Sequence, residues 1–191
     1  MKDSTILRKS ILKSLLVAFT LVSLTIQSTL ARETDSNYSE FLQALVEHHI
    51  QILPRNIERD ADVRCLALNI FHESRGEPIL GQLAVANVTM NRFNDSTRTI
   101  CQIVYSPGQF EWTSKRLRNP GGDQWYQALA LSWLVLNQPD LVRDVTRNAK
   151  YFHSYRRTPG SFRRFEHTTT IGNHRFYRER PLEEVAQAPS R

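Results

Sequence analysis

Residues 71–80, FHESRGEPIL, force a bend between two apolar helical stretches, and any fold of this chain has to accommodate it. Upstream, Val63, Leu66, Ala67, Ile70, Phe71 and Ser74 recur at helical spacing, with Asp60 or Asp62 available as the N-cap. Downstream, Leu80, Leu83, Ala84, Val88 and Asn91 line one side of a second helix. Gly76 suits the position just past a helix end, where a positive φ costs glycine little. Pro78 disfavours helical geometry at the residue before it and so prevents a simple continuation. The bend carries two glutamates, Glu73 and Glu77, separated by Ser-Arg-Gly.

The other segments follow the same helical logic until late in the chain. Phe41, Leu42, Leu45, Val46, Ile50 and Leu53 form a stripe that ends at Pro54, and Trp125, Leu129 and Leu136 form another. Between them RTICQIVYSPGQFEWT passes from a short helix through a Pro-Gly turn into an aromatic segment. AKYFHSY and FRRFEHTTTIGNHRFY are rich in aromatic and β-branched residues, and IGNH reads as a hairpin turn. Helices first and a small sheet last is an α+β order, mainly helical with a small antiparallel sheet or hairpin near the C-terminus.

The first 31 residues read as an export signal: a basic start, the apolar run SLLVAFTLVSLTI, and small residues at Thr29 and Ala31. A membrane anchor is the alternative, but the run falls short of the ~20 residues a span needs. The expected organisation is a signal peptide over 1–31, an extension with one helix over 32–60, a catalytic domain over 61–180 and a flexible tail over 181–191. Cleavage after Ala31 would leave a periplasmic or secreted protein without a membrane span. It would also remove four cations and one anion, taking the formal charge from +6 to +3. The remaining basicity gives little support to nucleic-acid binding. Cys65 and Cys101 are the two cysteines, and in an oxidising compartment they are a candidate disulfide; two buried thiols are the alternative.

Glu73 falls at the margin of the buried stripe of its helix. A carboxyl group held against apolar surface resists ionisation, because its charged form loses hydration, and becomes a proton donor near neutral pH. Spacing alone favours both glutamates being solvated charges near a helix end, one paired with Arg75.

The blocks FHESRGEPILGQLAVANVTMNR, ICQIVYSPGQFEWT, YFHS and IGNHRFYR, in that order from about Arg64 to Arg180, resemble the SleB-type cell-wall hydrolase family, which includes spore-cortex-lytic enzymes. The resemblance implies a lysozyme-like catalytic domain. It also implies cleavage of peptidoglycan glycan strands by lytic transglycosylation with one essential glutamate. The family's Glu-x-Arg-Gly-Glu motif falls on Glu73, Arg75, Gly76 and Glu77, and its catalytic glutamate on Glu73. Gly108 departs from a family pattern of Cys-Gln-Phe, which removes a cysteine but keeps Gln109 and Phe110. Gln109 suits hydrogen bonding to an acetamido group or sugar hydroxyl, Phe110 or Trp112 stacking on a sugar face, and His153 and Glu77 further substrate contact. His174 and Tyr177 read as structural, and Asn91 and Arg92 as helix-capping or acid-pairing. No cofactor and no metal is expected, and the protein is expected to act as a monomer.

Two other classes stay open at this level. A non-catalytic module could hold wall polymer on aromatic and basic surface, and a two-carboxylate muramidase could use Glu77 or Glu111 beside Glu73. A zinc peptidase fits poorly. No His-Glu-x-x-His follows His72, and the six histidines lack compact ligand spacing.

Overall fold

A computed structural model of the chain describes residues 27, 29, 33–156 and 159–180. The expected signal peptide, apart from Gln27 and Thr29, and the expected tail over 181–191 lie outside the described residues. The chain divides into two compact units between Phe41 and Leu42. In the first, helical residues 33–41 carry Tyr38 and Phe41 with ring centroids 6.3 Å apart. The second opens with helical residues 42–52 (α1), whose Leu42 and Val46 are fully buried and whose His49 ring lies 5.2 Å from that of Trp133. Part of the expected N-terminal extension thus shares a compact unit with residues 61–180.

Helix α2, Ala61–Ser74, is the centre of this unit. Asp60 caps it by accepting from the backbone N–H groups of Asp62 and Val63, both at 3.1 Å. Every residue from Cys65 to Phe71 is buried, more than the one stripe that the periodicity marks out. The reason is that α2 packs against three partners: α3 (Ile79–Asn94), α4 (Ile100–Val104) and α5 (Asp123–Asn137). The middle of a helix surrounded in this way is apolar nearly all round, and its partly exposed residues fall near the ends. The polar groups this traps find partners, as buried polar groups must. Asn69 donates to Thr89 Oγ1 at 3.0 Å and accepts from Trp112 Nε1 at 3.1 Å.

Short helix α4 is defined by a capping box between Thr99 and Gln102 and is joined to α2 covalently. Cys65 and Cys101 form a disulfide, with their Cα atoms 5.2 Å apart. Neither free thiols nor a thiol-based metal site is left.

The sheet has strands β1 (Tyr151–Ser154), β2 (Glu166–Ile171) and β3 (His174–Arg178) in the order β1-β3-β2, all antiparallel. Ile171 pairs with His174 across a two-residue turn in which Gly172 has φ +56°. This is the hairpin expected at IGNH. Phe176 is fully buried and joins Ala84 and Val88 of α3 in a core that fixes the sheet to the helices. The opposite face carries a ring cluster in which Tyr151 stacks on Phe165 at 4.2 Å and His153 on Tyr177 at 5.2 Å. The architecture is α+β, mainly helical with a small antiparallel sheet near the C-terminus, as the order of the segments implies.

The Cys65–Cys101 bridge closes a separation of 36 residues. By the chain-entropy relation, a loop of that length contributes about 3–4 kcal/mol. Urea unfolding with and without reductant should show a loss of that order on reduction.

Candidate active site

The bend read from the sequence is built from three elements. Helix α2 ends at Ser74, and Gly76 takes φ +82°. Glu77 N–H closes the turn onto the Ser74 carbonyl at 3.0 Å. Gln124 of α5 accepts from Gly76 N–H at 3.1 Å, and Gln82 of α3 donates to the Glu77 carbonyl at 3.0 Å. The backbone is therefore held from both sides, and the two glutamates leave it in different directions.

Glu77 is committed to the hairpin. Its Oε2 accepts from Asn173 N–H at 3.0 Å and its Oε1 from the Asn173 amide at 2.6 Å. A Cβ on Gly172 would come within 2.0 Å of Glu77 Oε2, so glycine is required there by space as well as by backbone conformation. Glu77 does not line the cleft, and the structure does not bring it to the substrate position expected for it.

Glu73 instead faces a cleft of about 360 Å³ between helices and sheet. His72 and Glu73 from α2 and Arg92 from α3 form one side. Gln109, Phe110, Glu111, Trp112 and Lys115 come from the connection between α4 and α5, and Phe152, His153, Ser154 and His174 from the sheet. Three of the expected substrate residues, Gln109, Phe110 and His153, are thus brought together with Glu73. Gln109 is exposed and free to reach a ligand. Phe110 is only 4% exposed, with Phe152 at 6.2 Å and the Arg92 guanidinium at 5.3 Å, so it is chiefly a wall. The Trp112 ring is packed on His72 at 4.7 Å and tied to Asn69. His153 has both ring nitrogens engaged, with the Ser154 carbonyl at 2.7 Å and the Tyr177 hydroxyl at 3.0 Å.

Glu73 is half-buried, and among the described residues it has no hydrogen-bond or ion-pair partner. Burial, reinforced by the charge of Glu111 and opposed by Lys115, pushes its carboxyl up to about 7. Glu111 is in the reverse situation. Its hydrogen bond and ion pair with Lys115, at 2.7 Å, hold its carboxyl below the usual range. One cleft therefore contains an acid that keeps its proton near neutrality and another that is ionised, the separation on which acid–base catalysis depends. The neighbouring histidines are biased to the neutral form: burial, then Arg75, lowers His72, and burial lowers His174.

Lys115, Phe152 and Ser154 line the cleft without standing out in the sequence as site residues, and His174, expected to be structural, borders the cleft with its ring. Lys115 has a sequence signal, since it stands four residues after Glu111. Phe152 and Ser154 have only their alternation within YFHS. Asn91 donates to Asp144 Oδ2 at 3.2 Å, which is the acid pairing read for it, while Arg92 donates to the Lys150 carbonyl at 2.6 Å. Among the described residues, no group of three His, Cys, Asp or Glu side chains could hold a metal ion. No helix among them is long and apolar enough to cross a membrane.

The sequence matches the family described as Cell Wall Hydrolase over residues 76–177. It is 39% identical over 51 residues to a spore cortex-lytic enzyme of Bacillus cereus, covering 26% of this chain and 20% of that protein. It is 38% identical over 53 residues to one from Halalkalibacterium halodurans, covering 27% and 16%. The match thus spans about a fifth or less of the length of these curated relatives. Among solved structures, the chain is similar to the catalytic domain of the Bacillus cereus SleB protein, with 26% identity, a TM-score of 0.49, and coverage of 61% of this chain and 89% of that one. It is also similar to the catalytic domain of the germination-specific lytic transglycosylase SleB from Bacillus anthracis, with the same identity and TM-score and coverage of 62% and 95%.

A carboxyl group that holds its proton more tightly when folded costs stability as pH rises. For Glu73 the cost begins near the ordinary value of 4.5 and is complete above about 7. Glu73→Gln removes it. At pH 8 the variant should be the more stable protein by up to about 3 kcal/mol, and the two should converge below pH 4.5. Paired urea melts at the two pH values check this.

Proposed function

The chain belongs to the cell wall hydrolase family, and we propose that it is an exported enzyme that cleaves peptidoglycan glycan strands as a lytic transglycosylase, with Glu73 as its general acid and base. The bond cut is the β-1,4 linkage between N-acetylmuramic acid and N-acetylglucosamine. The enzyme works as a monomer, without cofactor, in the periplasm or outside the cell, after loss of the segment over 1–31. The domain is read as lysozyme-like.

The observation that carries this reading is a half-buried carboxyl group without a hydrogen-bond or ion-pair partner among the described residues, facing the cleft, while the nearby acid is occupied by a lysine. Glu73 would give its proton to the glycosidic oxygen as the bond to the muramic acid C1 breaks. The oxocarbenium-like centre left at C1 is then attacked by the sugar's own C6 hydroxyl. Glu73, now a carboxylate, takes the proton of that hydroxyl, and a 1,6-anhydro ring closes. One carboxyl group serves both steps, so no second acid has to activate water. Gln109 supplies hydrogen bonds to the sugar, Phe110 and Trp112 wall the site, and His153 holds the sheet side through Tyr177.

Glu111 supports a second reading. It is an ionised carboxylate on the same cleft, and in a two-carboxylate muramidase it would stabilise the charged centre or direct water. A wall-binding module without catalysis has less support, since it has no use for a protonated acid.

Digestion of purified sacculi followed by mass spectrometry of the muropeptides distinguishes these readings. Transglycosylation gives 1,6-anhydro ends, and Glu73→Gln should lower their release by about 10²–10⁴-fold. Reducing ends would favour the two-carboxylate route, and undiminished release by the variant would exclude Glu73 as the acid.

A further inference from the structure

Behind the Arg92 side of the cleft lies a second cavity of about 240 Å³ that shares Arg92 and Gln109 with it. Its lining is cationic: Arg92, Arg98 and Lys150 surround Ser96, Ser106 and the Tyr151 ring. No carboxylate lines it. Asp95, which pairs with Lys150, and Glu179, which accepts from the Tyr151 hydroxyl at 3.0 Å, instead line a larger cavity on the other side of Lys150.

The two arginines are held by neutral groups. Arg92 donates through Nε to the Lys150 carbonyl, its guanidinium lies over the rings of Phe110 and Tyr151 at 5.3 and 5.7 Å, and its Nη1 is buried with no acceptor. Arg98 donates to the Gln102 carbonyl and the Ser106 hydroxyl. Two guanidinium groups held by neutral partners, with no carboxylate paired to either among the described residues, make a binding site for a planar anion, and carboxylate matches the arginine fork.

We infer that this pocket is a subsite for a carboxylate carried on the 3-O substituent of the muramic acid residue whose bond is cut. The inference rests on the cleavage reading for the position of that sugar. A muramic acid residue over Glu73 carries its lactyl group on C3 of the same ring, two carbons from the C1 whose bond is broken. The shared wall of Arg92 and Gln109 is where such a branch would pass from cleft to pocket. The cavity is too small for a whole stem peptide, but it admits the charged end of one. The carboxylate has two sources, the lactyl group itself when no peptide is attached, or the acidic residues of an attached stem peptide.

Isothermal titration of the Glu73→Gln chain, which avoids turnover, tests this with three ligands. They are the disaccharide with its stem peptide, the peptide-free disaccharide with a free lactyl carboxylate, and di-N-acetylchitobiose, which has no carboxylate. The peptide-bearing disaccharide should bind on the order of tenfold more tightly than chitobiose. Adding Arg98→Gln should remove most of that preference, Arg98→Lys should retain part of it, and Lys150→Gln provides an independent reduction should Arg98→Gln fail to fold. The peptide-free disaccharide identifies the source, because an attached peptide consumes the lactyl carboxyl as an amide: tighter binding than the first ligand assigns the lactyl carboxylate, affinity like the first shows that the pocket accepts either carboxylate, and affinity like chitobiose assigns the peptide. Equal affinity for all three, or a preference untouched by both charge-removing variants, overturns the inference. Such a result leaves the cleavage reading standing, because that is judged separately by digestion of sacculi.

Discussion

Glu77 and Asn173 are 96 residues apart in the chain, and the bond between them is the constraint on which the cleft depends. A backbone N–H and a side-chain amide both donate to one carboxylate, joining the start of α3 to the tip of the β2–β3 hairpin. Phe176 fixes the root of that hairpin in the core, and Glu77 fixes its turn. Between these two anchors the sheet holds Phe152, Ser154 and His174 opposite α2 at a set distance. The fit leaves no room for a side chain at residue 172 and little at Gly81, where a Cβ would lie 3.1 Å from that of Glu77. A carboxylate used in this way is a structural part.

Glu73 experiences the opposite conditions one turn away. The same bend that directs Glu77 outward to two donors leaves Glu73 against buried surface with none among the described residues. The chain thus places two chemically identical side chains in contrasting environments within five residues, and the contrast comes from the backbone. Gly76 changes the direction of the chain, and Gln124 and Gln82 keep it there. Glu111 and Lys115 adjust the result, since the carboxylate raises the affinity of Glu73 for its proton and the ammonium lowers it. Burial remains the largest cause, so the acidity of Glu73 depends on the packing of the cleft more than on any single neighbour.

Local features of this arrangement were legible in the sequence. An aspartate cap at Asp60 or Asp62, Gly76 after a helix end, Pro78 before the next start and the turn at Gly172-Asn173 each follow from the conformational preference of one or two residues, and the structure selects Asp60. The α+β order followed from periodicity. Burial on all sides of α2 was less accessible, because a stripe marks one buried face and gives no count of the partners. Long-range pairings left no periodic trace: that Asn173 would occupy Glu77, or that Asn69 would tie Trp112 to α2, depends on how distant segments meet. The same holds for the cleft. Glu73, Gln109, Phe110 and His153 could be named from motif positions and Lys115 from its spacing to Glu111, whereas the place of Phe152 and Ser154 in the cleft depends on three separate segments converging. Glu77 was expected among them for its place in the motif, and its partner on the hairpin accounts for its absence.

The proposed cleavage requires a glutamic acid at position 73 that is still protonated close to neutral pH. Carbon-13 NMR of the side-chain carboxyls, followed from pH 3 to 9 and assigned by comparison with Glu73→Gln, measures that directly. One glutamate resonance should titrate with a midpoint near 7 and be missing from the variant. If the resonance lost in the variant titrates with the exposed glutamates instead, in the ordinary range near 4.5, the site has no proton to give and the account is wrong.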